Sequence, residues 1–262
     1  MEHEKMERNP LIWAYLFSRF VVLRTFYTFF GKKHPNAETE DFLSNEDGEG
    51  LVVVLHGYAA SRNHLAYQMD TFVTHPRCCK YRLVYVPRVQ YEPNSTIIES
   101  NAHVLGSIFN FCSEHPGEFI DIVRISTEGR LALSLLFALR RQETRVRFVT
   151  LASPLHGTSI VRFLPGFYQL ARWTVGDTLL KEFDPEQKRA HGDLAENIAS
   201  AENNRTFLHF YSTSDWVVFP PHRCTTAVGP PWAYAKALHA CAHNEIFEEA
   251  MRSTELWDFL CP

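Results

Sequence analysis

The sequence has no excess of basic side chains: 26 Lys and Arg stand against 30 Asp and Glu over 262 residues, a formal net charge of −4. That balance argues against a nucleic-acid binder relying on a broad basic surface, because such binding comes mainly from neutralising phosphates. Among the six cysteines, Cys78, Cys79, Cys112, Cys224, Cys241 and Cys261, there is no C-x-x-C pair and no Cys/His cluster of zinc type. Neither a structural zinc module nor a compact disulfide framework is therefore indicated, and reduced, mostly buried thiols are the expectation. No internal repeat is visible. The N-terminus carries Glu2, Glu4 and Glu7 where a secretory signal has its basic region, and no small-residue cleavage site follows. The expected location is cytoplasmic or peripheral to a membrane. The sequons Asn94-Ser95-Thr96 and Asn204-Arg205-Thr206 leave secretion open but carry little weight.

What is present is apolar and aromatic. With 45% hydrophobic and 21% charged residues the chain is not disordered. A chain of this length buries about 75% of the surface it exposes unfolded. Aromatics make up 13%, with 20 Phe, 10 Tyr and 5 Trp; they fit either a Phe-rich core or a protein that handles lipid-like material. The most apolar stretch, residues 10–30 (PLIWAYLFSRFVVLRTFYTFF), has three readings: a helix buried on the domain, a membrane-surface anchor, or a true span. At ~1.5 Å rise it just reaches the ~20 residues a span requires. Arg19 and Arg24 oppose the span, each costing ~2.5–3.5 kcal/mol near a bilayer centre. The stretch that follows, 34–50 (HPNAETEDFLSNEDGEG), is acidic and turn-rich and reads as a linker.

From Leu51 a rhythm begins. Leu51–Leu55 (LVVVL) is the continuous β-branched run of a strand buried on both faces, and Arg82–Val86 is a second. A helix is predicted over 96–111, a strand over Phe119–Ile125 and a helix over Leu131–Leu139. Further strands are predicted at Arg147–Leu151 and Phe207–Tyr211. Alternation of this kind predicts an α/β domain over 51–262, with a mostly parallel central sheet and helices on both faces. Between 160 and 205 the rhythm lapses into an aromatic, helical insertion of the kind that forms a cap or lid.

Chemistry-bearing residues fall at strand ends. His56-Gly57-Tyr58 follows the first run, where backbone N–H groups can point into the crevice of such a sheet. FIDIVRI runs into Ser126-Thr127-Glu128-Gly129 and then a helix, which reads either as a serine N-cap or as a nucleophile on a tight turn. Asp215 follows FLHFY, and His243 precedes the final helical stretch, with His239 a nearby competitor. Hydroxyl, carboxylate and histidine, in that order along one sheet, is the order expected of nucleophile, orienter and base on this architecture.

In these segments the chain resembles the α/β-hydrolase superfamily, in particular its lipase and esterase branch. LVVVLHGYAAS is similar to the strand and oxyanion turn of those enzymes, and FIDIVRISTEGRLAL to the nucleophile strand, elbow and helix. LASPLHGTS is similar to the loop after the next strand. YSTSDWVVFP and AHNEIFEEA are similar to the segments bearing the acid and the histidine. The resemblance covers 51–262 and implies an acyl-enzyme mechanism with Ser126 as nucleophile, His243 as general base and Asp215 as its orienter. It further implies the backbone N–H groups of Tyr58 and Thr127 as the oxyanion hole, an apolar ester or lipid-like substrate, and no metal or organic cofactor. The sequence departs from the family's G-x-S-x-G: Arg124 and Glu128 replace both glycines around Ser126, whereas the frame ending at Gly129 centres Thr127. Thr127 is thus the alternative nucleophile, although a β-branched residue suits the strained elbow poorly. The degenerate elbow also admits a second function, a non-catalytic fold that keeps the apolar pocket for binding.

Overall fold

The computed structural model describes residues 41–57, 62–89, 101–126, 144–156, 205–215 and 233–261, together with separate positions that include helical residues between 11 and 26 and between 131 and 139. Seven strands, β1 (Asp41–Ser44), β2 (Leu51–Leu55), β3 (Leu83–Tyr85), β4 (Ile120–Ile125), β5 (Val146–Leu151), β6 (Arg205–Ser212) and β7 (Ala233–Leu238), form one sheet. Their spatial order is β1-β3-β2-β4-β5-β6-β7. All pairs from β3 to β7 are parallel, and β1 runs antiparallel to β3 at the edge.

The sheet is covered on both sides, and strand alternation sorts its side chains between two cores. Ile120, Ile122, Phe148 and Phe207 pack with Val104, Ile108 and Phe111 of the helix Ala102–Glu114 and with Leu131, Leu135 and Leu139. Leu131, Leu135 and Leu139 are all helical, on the segment predicted to be a helix. On the other face Val52, Val54, Val123, Val149 and Phe210 meet Met69 and Phe72 of the helix Arg62–Val73, and Phe247 and Trp257 of the two C-terminal helices. The continuous apolar runs of β2, β4 and β5 follow from this, since each of their faces needs a cover.

The acidic stretch expected to be a linker is in part a strand. Asp41–Ser44 pairs with β3, and the main chain beyond it stays engaged, with Asn45 N–H donating to Arg82 O at 2.8 Å and Glu49 N–H to Lys80 O at 2.6 Å. An edge strand needs only backbone partners and one covered face, so the acidic side chains Glu46, Asp47 and Glu49 remain exposed while the chain is held. The opposite edge, β7, reads AYAKAL, and Tyr234, Ala235 and Lys236 are exposed. Its alanines give it little strand propensity, and it pairs because β6 offers an open ladder.

One ionic group is buried low in the sheet. Cross-strand register places Asp121 beside Arg147, which donates from Nε and Nη2 to the two carboxylate oxygens at 2.6 Å each. Tyr81 donates its hydroxyl to the same carboxylate, and Arg147 Nη1 donates to Phe259 O at 3.0 Å. Burial pushes the Asp121 carboxyl up while Arg147 and Tyr81 pull it down. Arg147→Met would strand the carboxylate and should cost ~3–5 kcal/mol in urea unfolding, whereas Asp121→Leu/Arg147→Met should cost less than the two single changes summed.

Candidate active site

The site lies at the carboxyl ends of β4, β6 and β7. Ser126 directly follows β4 and adopts φ 58, a left-handed conformation that L-residues other than glycine seldom take. Such a residue costs about 1–3 kcal/mol and needs its surroundings to hold it. Its N–H donates to Leu151 O at 2.8 Å, which fixes the turn to the end of β5. Of the other described non-glycine residues with positive φ, Ala152 (φ 49) follows β5 and Ala240 (φ 49) lies in the loop leading to His243. The backbone strain of the described residues is thus collected around the site.

The turn that projects the serine packs closely on the chain leaving β2. A Cβ added to Gly57, two residues past β2, would lie 2.5 Å from Ser126 Cβ and 2.9 Å from Ile125 O, so glycine there leaves the serine its room. Arg124 is 1% exposed on the face of Ile120 and Ile122. Among the described residues none of its three guanidinium nitrogens has a hydrogen-bond partner, and burial pushes its pKa down to about 9. A buried charge without a partner is costly, so Arg124→Met is expected to raise the urea midpoint. Glu128 lies outside the described residues.

The structure brings Ser126, His243 and Asp215 together. His243 Nδ1 lies 2.7 Å from Asp215 Oδ2, and His243 Nε2 lies 2.8 Å from Ser126 Oγ. A carboxylate only accepts, so Nδ1–H donates to Asp215 and Nε2 is left to accept the serine proton. Asp215 is held for this task through its second oxygen: Oδ1 accepts from Val217 N–H at 2.8 Å and Val218 N–H at 3.2 Å, aiming Oδ2 at the ring. His239 does not join this chain; its Nδ1 lies 3.4 Å from Thr213 Oγ1. Tyr58 and Thr127 lie outside the described residues, as does the expected cap over 160–205 apart from Arg205, which begins β6.

Several supporting residues carried no signal in the sequence. Ser212 Oγ donates to Cys241 O at 2.6 Å and accepts Ser214 N–H at 3.1 Å, linking the acid loop to the histidine loop. Glu245 Oε2 accepts Ala242 N–H at 3.0 Å, one residue before His243. A glutamate three residues after the start of a turn is a capping signal, although here it follows alanine instead of serine or threonine. Beside Arg124, Thr150 and His209 occupy the same cross-strand row, with Thr150 Oγ1 and His209 Nδ1 2.7 Å apart. Burial, then Arg124, push the His209 pKa down to about 3. The unfolded chain takes up this proton below about 6.5, so native stability should fall as the pH drops from about 6.5 toward 3, by up to ~1.4 kcal/mol per pH unit. Urea titrations at stepped pH should show a shallower decline in His209→Gln than in the wild type. Among the described residues no group of three His, Cys, Asp or Glu side chains could hold a metal ion. Five described cysteines are free thiols, with Cys78, Cys224 and Cys241 buried.

A parallel sheet with one antiparallel edge strand, a strained serine after β4, an acid after β6 and a histidine after β7 define the α/β-hydrolase fold. Solved structures share this architecture over most of the chain. A naproxen esterase (carboxylesterase NP) of Bacillus subtilis superimposes with a TM-score of 0.55 at 14% identity, covering 91% of this chain and 97% of that one. A second Bacillus subtilis carboxylesterase gives 0.53 at 13% identity, with 91% and 98% covered. An esterase of Pyrobaculum calidifontis gives 0.53 at 12% identity, with 93% and 89% covered. No family model and no curated protein matches the sequence.

Proposed function

We propose that this protein is a serine hydrolase that cleaves carboxylic esters with lipid-like or other apolar acyl groups. The observation that carries the reading is the continuous chain Ser126 Oγ–His243 Nε2–Asp215 Oδ2, at 2.8 and 2.7 Å, on a serine held at φ 58. His243 takes the Ser126 proton as Oγ attacks the ester carbonyl, and Asp215 stabilises the imidazolium that results. The proton then passes to the departing alkoxide, leaving an acyl-serine, and water activated by His243 releases the acid. The backbone N–H groups of Tyr58 and Thr127 are the proposed donors to the oxyanion. The esterase neighbours support an ester over other acyl substrates. The assembled triad supports catalysis over the non-catalytic alternative that the missing glycines suggested.

A fluorophosphonate probe should label the wild type and fail to label Ser126→Ala. No labelling of folded wild-type protein overturns the reading. Labelling that persists in Ser126→Ala and disappears in Thr127→Ala moves the nucleophile to Thr127.

The stretch 10–30 bears on the same substrate class. Its described residues are helical, and Leu11, Tyr15, Val22 and Phe26 are exposed at spacings that share one face. At these positions the helix is not buried on the domain, and no helix among the described residues is long and apolar enough to cross a membrane. This supports contact with a lipid surface as the proposed use of the stretch. Flotation with phosphatidylcholine vesicles should be lost when the four residues are changed to serine.

A further inference from the structure

The N-terminal helix meets the catalytic loop at one charged contact. Arg19, whose side chain is 44% exposed, forms an ion pair with Oε1 of Glu245, whose side chain is 7% exposed. The other oxygen of that carboxylate accepts the Ala242 N–H at 3.0 Å, and Ala242 is fully buried and precedes His243. The loop enters this bond from Ala240 at φ 49, and the intervening Cys241 carbonyl accepts the Ser212 hydroxyl at 2.6 Å. The backbone carrying His243 is therefore pinned on one side by the sheet and on the other by Glu245, and Arg19 supplies the countercharge for Glu245.

We propose that Arg19 is a positioning residue for the catalytic base: its guanidinium holds the Glu245 carboxylate in place, and that carboxylate holds the Ala242 amide and so the ring of His243. This rests on the hydrolase reading for its catalytic readout, but its structural consequence does not. A glutamate side chain bonded to a guanidinium through one oxygen and to an amide through the other is fixed in one rotamer, and without the cation it regains the freedom to leave the amide. Among the described residues, the charged and titratable groups on these elements are Arg19 from the N-terminal helix, His243 and Cys241 from the loop, Asp215 from the acid loop, and Glu248 and Glu249 from the helix that follows, both of which pair with Arg252. Cys241 reports that crowding. Its thiol is pushed up by burial first and then by Glu245, Glu249 and Asp215, with Arg19 acting in the opposite sense. Arg252 pairs with Glu248 and Glu249, whereas Arg19 pairs with Glu245, so the loss of Arg19 falls on Glu245. Gln68 Nε2, at 3.4 Å from both Asn244 O and Glu248 Oε1, steadies the loop from a third direction without charge.

The test compares the wild type with Arg19→Gln, Arg19→Lys and Arg19→Gln/Glu245→Gln. Two readouts are used, p-nitrophenyl butyrate hydrolysis and amide hydrogen exchange over residues 240–246. Misplacing a reacting group by about 1 Å costs on the order of 10²-fold. Arg19→Gln should accordingly lower kcat by about tenfold or more with KM nearly unchanged. Exchange at 242 should quicken about tenfold. Arg19→Lys should restore most of both, and the double variant should be little worse than Arg19→Gln alone, because both changes break the same contact. Wild-type exchange at 242 in Arg19→Gln overturns the proposal, as does a loss confined to KM. If the wild type proves inactive and takes no fluorophosphonate, the hydrolase reading falls, and hydrogen exchange still decides whether Arg19 orders the loop.

Discussion

Ser126→Ala is expected to reduce kcat on p-nitrophenyl esters by a factor on the order of 10⁶, with the fold intact. The size follows from the proposed mechanism, in which serine, histidine and aspartate perform one proton-coupled attack, so that removing the nucleophile forfeits the contribution of all three. The hydrogen bond from Ser126 to His243 is the geometric sign of that coupling. Ser126→Ala/His243→Ala should consequently be scarcely worse than Ser126→Ala alone, which a multiplicative loss would exclude. The strained backbone supplies an independent check. Glycine accepts φ 58 at no steric cost, so Ser126→Gly should abolish turnover yet raise stability by about 1 kcal/mol in urea unfolding. An active Ser126→Gly would show that the hydroxyl at 126 is not the nucleophile.

Gly57→Ala should also damage activity, although residue 57 has no side chain to contribute. Its new methyl group would lie 2.5 Å from Ser126 Cβ and 3.3 Å from Ser126 Oγ, so the elbow or the end of β2 must move. A displacement of about 1 Å at the nucleophile predicts a loss on the order of 10²-fold in kcat/KM, and overpacking of this kind costs about 1–3 kcal/mol in stability. Because the principal clash is with the Ser126 side chain, Gly57→Ala/Ser126→Gly should recover much of the lost stability and none of the activity. Full activity in Gly57→Ala, measured beside the rate of fluorophosphonate labelling, would mean that the turn tolerates a side chain there and closes by other means.

The parts of this site that could be read from the chain are those whose chemistry is local. Ser126 and Asp215 each follow a strand whose apolar run announces it, His243 precedes a helical stretch, and their order along the chain suits one sheet. The supporting contacts could not be read in the same way. Ser212 reaches Cys241, Glu245 reaches Arg19, and Gly57 makes room for a serine 69 positions away. No periodicity links such partners, because they are neighbours only after the sheet has formed. The edge strands escaped for a related reason: Asp41–Ser44 is a short run inside an acidic, turn-rich stretch and β7 is rich in alanine, and each is a strand because β3 or β6 offered it unpaired backbone.

By itself the sequence determined the central strands, the alternation with helices and the types of side chain available for catalysis, since burial on both faces of a parallel sheet and the helical period leave their imprint directly on apolar spacing. Tertiary structure alone decided what holds the serine turn, because steric room and hydrogen bonds belong to whichever backbone lies alongside: Gly57, just past β2, leaves Ser126 its space, and Leu151 O takes its N–H.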